Sequence, residues 1–127
     1  MIFLDTNFLI SFFVKKEDAH KRAVEIAKTI ENEEKIISKL VIAETITILK
    51  QELPTKDIIT IYNILQDFTT VEDTHLFDKG FEQFIKYDGT ISFFDAVYIA
   101  IMKELDIYKI ASFDPDFDNK DRLIRIH

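Results

Sequence analysis

An α/β fold built on a mainly parallel sheet is predicted by three features of the sequence. Short apolar runs of strand-forming residues alternate with longer segments whose apolar residues recur every three or four positions. Strands that alternate with helices in this way pair in parallel, with helices covering both faces of the sheet. The 127 residues include twelve Phe, no Trp and only two Gly, a composition suited to a compact chain with few open loops.

The elements follow in order. Ile2, Phe3 and Leu4 read as a short buried strand. Thr6 or Asn7 can cap the turn into a first helix over residues 8–14. A second helix is expected over 18–31, with Ala19, Ala23, Ile26, Ala27 and Ile30 on one face. Residues 35–38 form the second strand, and Ser38 caps a helix over 39–52. Pro54 stops that helix and can open the next at its first turn, where Ile58, Ile61, Tyr62, Leu65 and Phe68 make the apolar face. Residues 69–72 read as a third strand. The helix over 75–87 is expected to turn Phe77, Phe81, Phe84 and Ile85 inward, and Asp88-Gly89 makes a turn after it. Residues 92–106 form the most apolar helix, with Ser92 as its cap, and strands over 109–113 and 123–126 complete the sheet. No repeat, low-complexity segment or Pro/Gly-rich linker interrupts the chain, so residues 1–127 read as one domain.

Composition narrows the function. Without cysteine there are no disulfides and no cysteine-rich zinc sites, which suits a reducing cytoplasm. The apolar start is not a secretory signal, because Lys15 and Lys16 follow the apolar run and Asp5 and Asn7 interrupt it. No apolar stretch is long enough to span a membrane. The formal net charge of −7 disfavours broad, non-specific nucleic-acid binding. A small metal-centred site escapes that argument, since a bound divalent ion inverts the local field.

Four carboxylates stand at or just past the end of short apolar runs: Asp5, Glu44, Asp95 and Asp114. Acids in apolar surroundings are costly unless compensated, and four together most simply mean a divalent metal. Ligands of open α/β sheets sit outside the carboxyl ends of the strands, where Asp5 and Asp114 fall. Asp95 falls in the first turn of its helix, where free N–H groups favour negative charge. Glu44 shares a helix face with Val41 and Ile48, so it points inward. Each acid alone has a plainer reading: Asp5 as a helix cap, Asp95 as an ordinary first-turn acid, Asp114 as a turn former before Pro115, and Glu44 as half of a buried ion pair with a Lys or Arg. Convergence of all four is what carries the metal reading.

The motifs Leu4-Asp5-Thr6-Asn7, Ala43-Glu44, Ser92-Phe93-Phe94-Asp95-Ala96 and Ser112-Phe113-Asp114-Pro115-Asp116-Phe117, in this order, resemble those of PIN-domain ribonucleases, most closely the VapC-like toxins of type II toxin–antitoxin pairs. The resemblance covers almost the whole chain and implies a three-layer α/β/α sandwich. It implies a metal-binding quartet of Asp5, Glu44, Asp95 and Asp114, with Asp116 as an additional acid. It also implies that Asn7 orients the first aspartate and that Ser112 borders the site. Family members cut RNA with Mg²⁺ or Mn²⁺, form homodimers and are blocked by a cognate antitoxin. Two departures stand out: the run Asp114, Asp116, Asp118, Asp121 is unusually acidic, leaving open whether Asp116 or Asp118 is the fifth acid, and Gly80 replaces the usual alanine, which reads as close packing.

An all-acid set suits Mg²⁺ or Mn²⁺. His20, His75 and His127 lack paired ligand spacing, which argues against zinc, and no nucleophilic triad or phosphate-cradling Gly-rich loop is present. Attack by a metal-activated water, leaving a 5′-phosphate and a 3′-hydroxyl, is what the resemblance implies. A dehalogenase-like phosphatase would need a second Asp two residues after Asp5, where Asn7 stands. An RNA-processing nuclease without antitoxin and a catalytically silent binding module are the alternatives. Lys15, Lys16, Lys21 and Arg22 are the candidate RNA contacts, with a solvated helix face as their plainer role. The helix over 92–106 is apolar nearly all round, so it is either buried or part of a homodimer interface. An antitoxin is expected to place an Arg against the acids and an amphipathic helix against Phe8, Phe12 and Phe13.

Overall fold

The computed structural model describes all 127 residues. In chain order the elements are β1 (Ile2–Leu4), α1 (Thr6–Phe13), α2 (His20–Thr29), β2 (Lys35–Ser38), α3 (Lys39–Leu49), α4 (Thr55–Leu65), β3 (Thr69–Val71), α5 (Phe77–Lys86), α6 (Phe93–Glu104), β4 (Lys109–Ala111) and β5 (Ile124–Ile126). Short 3-10 turns stand at Thr74–Leu76 and Pro115–Phe117. The five strands form one sheet in the order β3-β2-β1-β4-β5, and every pair is parallel. The α/β class and all five expected strands are therefore present.

This strand order positions the site. The chain steps outward from β1 to β2 to β3, then returns across the sheet to β4 and β5. Right-handed crossovers put the helices of the outward steps on one face and those of the return on the other. The packing agrees: α1 contacts α2 and α3, α3 contacts α4, and α5 lies against α6. The direction reverses beside β1, so the carboxyl ends of β1 and β4 open a crevice at the switch point of the sheet. One core cluster of 29 buried residues fills the layers. Phe3 of β1 and Tyr98 of α6 meet there with ring centroids 5.3 Å apart.

Several boundaries and faces differ from the sequence expectation. Helix α1 begins at Thr6, because Asp5 itself is the cap and accepts the Thr6 N–H at 2.8 Å. Helix α2 begins at His20, since turn bonds from Glu17 N–H to Val14 and from His20 N–H to Glu17 occupy the preceding residues. Pro54 sits at the cap position of α4, and Phe68 lies past its end, half-buried. Tyr62 faces solvent. The face of α5 is turned by about one residue: Gly80 is buried against α6, while Phe77, Phe81 and Ile85, expected inward, are 36%, 55% and 60% exposed. A β-carbon on residue 80 would lie 2.6 Å from Val97 Cγ2 and 3.0 Å from Val97 Cα. The smallest side chain of α5 thus faces α6, at a separation that leaves no room for a larger residue at position 80. Residues 96–102 of α6 are all buried inside the protomer, which accounts for its all-round apolarity without a partner subunit.

Candidate metal centre in an acidic cleft

A cleft of about 370 Å³ opens at the carboxyl ends of β1 and β4. Asp5, Glu44, Asp95, Asp114 and Asp116 all line it, together with Glu17 from the turn before α2. Asp5 follows β1 directly. Asp95 sits in the first turn of α6, which Ser92 caps by accepting the Asp95 N–H at 3.0 Å. Asp114 and Asp116 come from the connection after β4, where Asp114 Oδ1 accepts the Asp116 N–H at 2.8 Å. Glu44 approaches from α3. The face of α3 that packs on the core is Val41, Ile42, Thr45 and Leu49, so Glu44 and Ile48 lie on its rim and look into the cleft rather than onto the sheet.

Local hydrogen bonds fix these carboxylates. Asp5 is 4% exposed, and its Oδ2 accepts the Ser112 hydroxyl at 2.6 Å. The Ser112 oxygen in turn accepts the Asp114 N–H at 3.0 Å, so one buried hydroxyl ties two acids together. Asn7 Oδ1 accepts the Phe113 N–H at 3.0 Å. Asn7 Oδ1 also lies 3.3 Å from the Ser112 hydroxyl that bonds Asp5, so Asn7 steadies the first aspartate through Ser112 and not by a direct bond. The buried Tyr98 hydroxyl donates to Glu44 Oε1 at 3.0 Å, in place of the cation that an ion-paired Glu44 would need.

The electrostatics of the cleft are those of uncompensated negative charge. No Lys or Arg forms an ion pair with any of its six acids. Burial, reinforced by the charges of Glu44 and Asp114, raises Asp5 to about 7. Burial, then the charges of Asp5, Asp114 and Glu44, raises Asp95 to about 8. The Tyr98 hydroxyl is also pushed up, first by burial and then by Glu44. Carboxylate oxygens of Asp95, Asp114 and Asp116 lie within 4.8 Å of one another, a spacing at which one cation can touch all three. Beside them Thr6 is 4% exposed, and its Oγ1, although near the Tyr98 hydroxyl, makes no hydrogen bond of acceptable geometry. An all-oxygen donor set and clustered charge without a counter-ion fit a hard divalent cation.

Between the two possible fifth acids the geometry separates Asp116 from Asp118. Asp116 belongs to the cluster, whereas Asp118 is held by both of its oxygens to Arg125, at 2.7 and 2.9 Å. That pair lowers Asp118 and raises Arg125. The basic candidates Lys15, Lys16, Lys21 and Arg22 do not line the cleft. Lys16 pairs with Glu52, Arg22 with Glu25 and the His127 carbonyl, and Lys15 and Lys21 are exposed and unpaired. Sequence reasoning missed Glu17, Thr6, Tyr98 and Arg125. Tyr98 carried a usable signal, one turn after Asp95 on the same helix; Glu17 sits in a charged stretch that gives none.

The PIN domain family profile matches residues 2–123. The chain belongs to the PIN-domain family. Among solved structures it is similar to Mycobacterium tuberculosis VapC20, described as a sarcin–ricin loop cleaving toxin, with a TM-score of 0.84 and 21% identity over 97% of this chain and 98% of that one. It also resembles FitAcB from Neisseria gonorrhoeae, with a TM-score of 0.64 and 17% identity over 91% and 88% of the two chains. No curated protein matches the sequence. At these identities the structural likeness speaks to the fold, which is that of a PIN domain across nearly the whole chain. No helix of this PIN domain is long and apolar enough to cross a membrane.

Proposed function

We propose that this PIN-domain protein, read as one domain, is an Mg²⁺- or Mn²⁺-dependent endoribonuclease and the toxin of a toxin–antitoxin pair. The observation that carries the reading is the cluster of Asp95, Asp114 and Asp116 within 4.8 Å, joined in one cleft by Asp5 and Glu44 and paired with no cation. Asp95, Asp114 and Asp116 would hold the cation, with Asp5 and Glu44 completing the negative field around it. A bound divalent ion there polarises a phosphoryl oxygen and acidifies water. The chain's own residues do the rest. Ser112 and Tyr98 hold Asp5 and Glu44 in fixed orientations beside the cation.

Partner readings follow from the surface. Phe8 is buried in the core and drops out as an antitoxin contact. Phe12 and Phe13 remain half-buried and line a largely apolar cavity of about 230 Å³ with Ile64 and Phe68. A groove of about 610 Å³ continues past Phe13 to Lys15 and Lys16, and an amphipathic antitoxin helix suits it. An antitoxin Arg, planar and forked, matches the acids of the cleft. The homodimer contact is assigned to the exposed strip of Phe77, Phe81 and Ile85 on α5 with Phe93 at the start of α6, where Phe77 and Phe93 meet edge-on at 5.6 Å. Lys15 and Lys21 are the RNA contacts left free.

The purified protein is expected to cut RNA with Mg²⁺ or Mn²⁺ and to stop with EDTA. Full cleavage in EDTA sinks the metal reading. Co-expression with the product of the neighbouring small gene is expected to give an inactive complex; an active complex, or no binding, favours the RNA-processing alternative.

A further inference from the structure

The connection from β4 to β5 is unusual within this sheet. Parallel neighbours are normally joined by a helix that packs back on the sheet. Residues 112–123 contain only the 3-10 turn Pro115–Phe117, with Asn119 and Asp121 in the left-handed region at φ 59° and 50°. This segment nevertheless carries Asp114 and Asp116. With no helix to hold it, side chains must.

One side chain grips the segment on both sides of Asp114 and Asp116. Arg125 stands on the edge strand β5, opposite Ile110 of β4. Its Nε and one terminal nitrogen donate to the two oxygens of Asp118 at 2.7 and 2.9 Å, and its other terminal nitrogen donates to the Ser112 carbonyl at 3.3 Å. The Arg125 side chain is only 9% exposed, and Asp118 is 44% exposed, so the pair is shielded from one side. Ser112 and Asp118 bracket Asp114 and Asp116. The guanidinium therefore closes the acid-bearing loop as a clasp, and the planar fork is what allows three bonds from one side chain.

We propose that Arg125 is a positioning residue for the acidic centre: by gripping Ser112 and Asp118 together it fixes Asp114 and Asp116 at the spacing a divalent cation requires. The metal part rests on the function proposed above; the ordering of the loop does not. Residues that orient ligands without touching the metal commonly change its affinity by about 10–100-fold.

The test compares Arg125→Lys and Asp118→Asn with the parent in two measurements. Amide hydrogen exchange is read on the metal-free proteins, and Mn²⁺ binding is followed by calorimetry or electron paramagnetic resonance. In Arg125→Lys the amides of Asp114, Asp116 and Phe117 are expected to exchange at least tenfold faster, with those of β1 unchanged, and the Mn²⁺ dissociation constant to rise about 10–100-fold. Arg125→Lys keeps the charge, so a purely electrostatic role predicts weakening in Asp118→Asn alone. That pattern, or unchanged loop exchange in Arg125→Lys, overturns the proposal. Faster loop exchange with no Mn²⁺ binding by the parent overturns the metal reading and leaves the clasp standing. A global loss of protection in Arg125→Lys assigns it to fold stability and also overturns the positioning role.

Discussion

The Ser112 hydroxyl donates to Asp5 Oδ2 at 2.6 Å, joining the carboxyl ends of two adjacent strands that lie 107 residues apart in the chain. Both groups are buried, and the same hydroxyl accepts the Asp114 N–H. Ser112→Ala should leave Asp5 Oδ2 and the Asp114 N–H without partners. Asp5, already raised to about 7 by burial, loses the bond that most lowers it and should rise further. The expected result is a folded protein whose cleavage falls by about 10–100-fold and whose pH–rate midpoint moves upward. A lower melting temperature with an unmoved midpoint would assign Ser112 to packing alone.

The acids of the cleft set a pH dependence of stability. Asp5 and Asp95 are raised from the ordinary carboxylate value of 3.8 to about 7 and about 8. In that window the folded protein holds protons that the unfolded chain has released, so their contribution to stability falls as pH rises from about 4 to about 8. A bound cation favours the ionised forms and should reverse the trend. Asp95→Asn removes one source of repulsion and should raise the metal-free melting temperature at pH 8 by a few degrees, about what 1 kcal/mol gives at this size. Thermal melts at pH 5 and 8, with EDTA or Mn²⁺, check both statements. A metal-free parent at least as stable at pH 8 as Asp95→Asn would refute the repulsion.

Gly80→Ala should destabilise the protein by about 1–3 kcal/mol, even though alanine is the better helix former by about 1 kcal/mol. The new methyl would meet the Val97 backbone as well as its side chain, and a rotamer change relieves only the second contact. Denaturant midpoints measure the difference. A gain in stability would mean that α5 and α6 separate readily.

Phe81→Glu is expected to convert a dimer to a monomer by light scattering at micromolar concentration. Its side chain is 55% exposed on the protomer, so the monomer's stability should change by no more than about 0.5 kcal/mol. A monomeric parent would remove the dimer reading.

The strands and the four principal acids were legible because each depends on local pattern. Apolar runs mark β1, β2 and β4, and an acid at the end of such a run marks the crevice beyond it. What was not legible depends on distant partners. Glu44 is met by Tyr98 from 54 positions later, and Arg125 reaches back to Asp118 and Ser112, so neither bond has a local signature. The face of α5 was misread because periodicity weights large apolar residues, while the close approach of two helices selected Gly80. Asp5, as the cap of α1, and Asp114, as the turn former before Pro115, fill their plainer readings and line the cleft as well.

The most direct measurement is cleavage of a defined RNA by the purified parent, Asp5→Asn and Asp95→Asn, each with Mg²⁺, with Mn²⁺ and with EDTA, and with the product ends mapped. Metal-dependent cutting by the parent that leaves 5′-phosphate and 3′-hydroxyl ends is expected, with a loss of at least about 100-fold in both folded variants. Parental rates in either variant, or cutting by the parent that persists in EDTA, would contradict it.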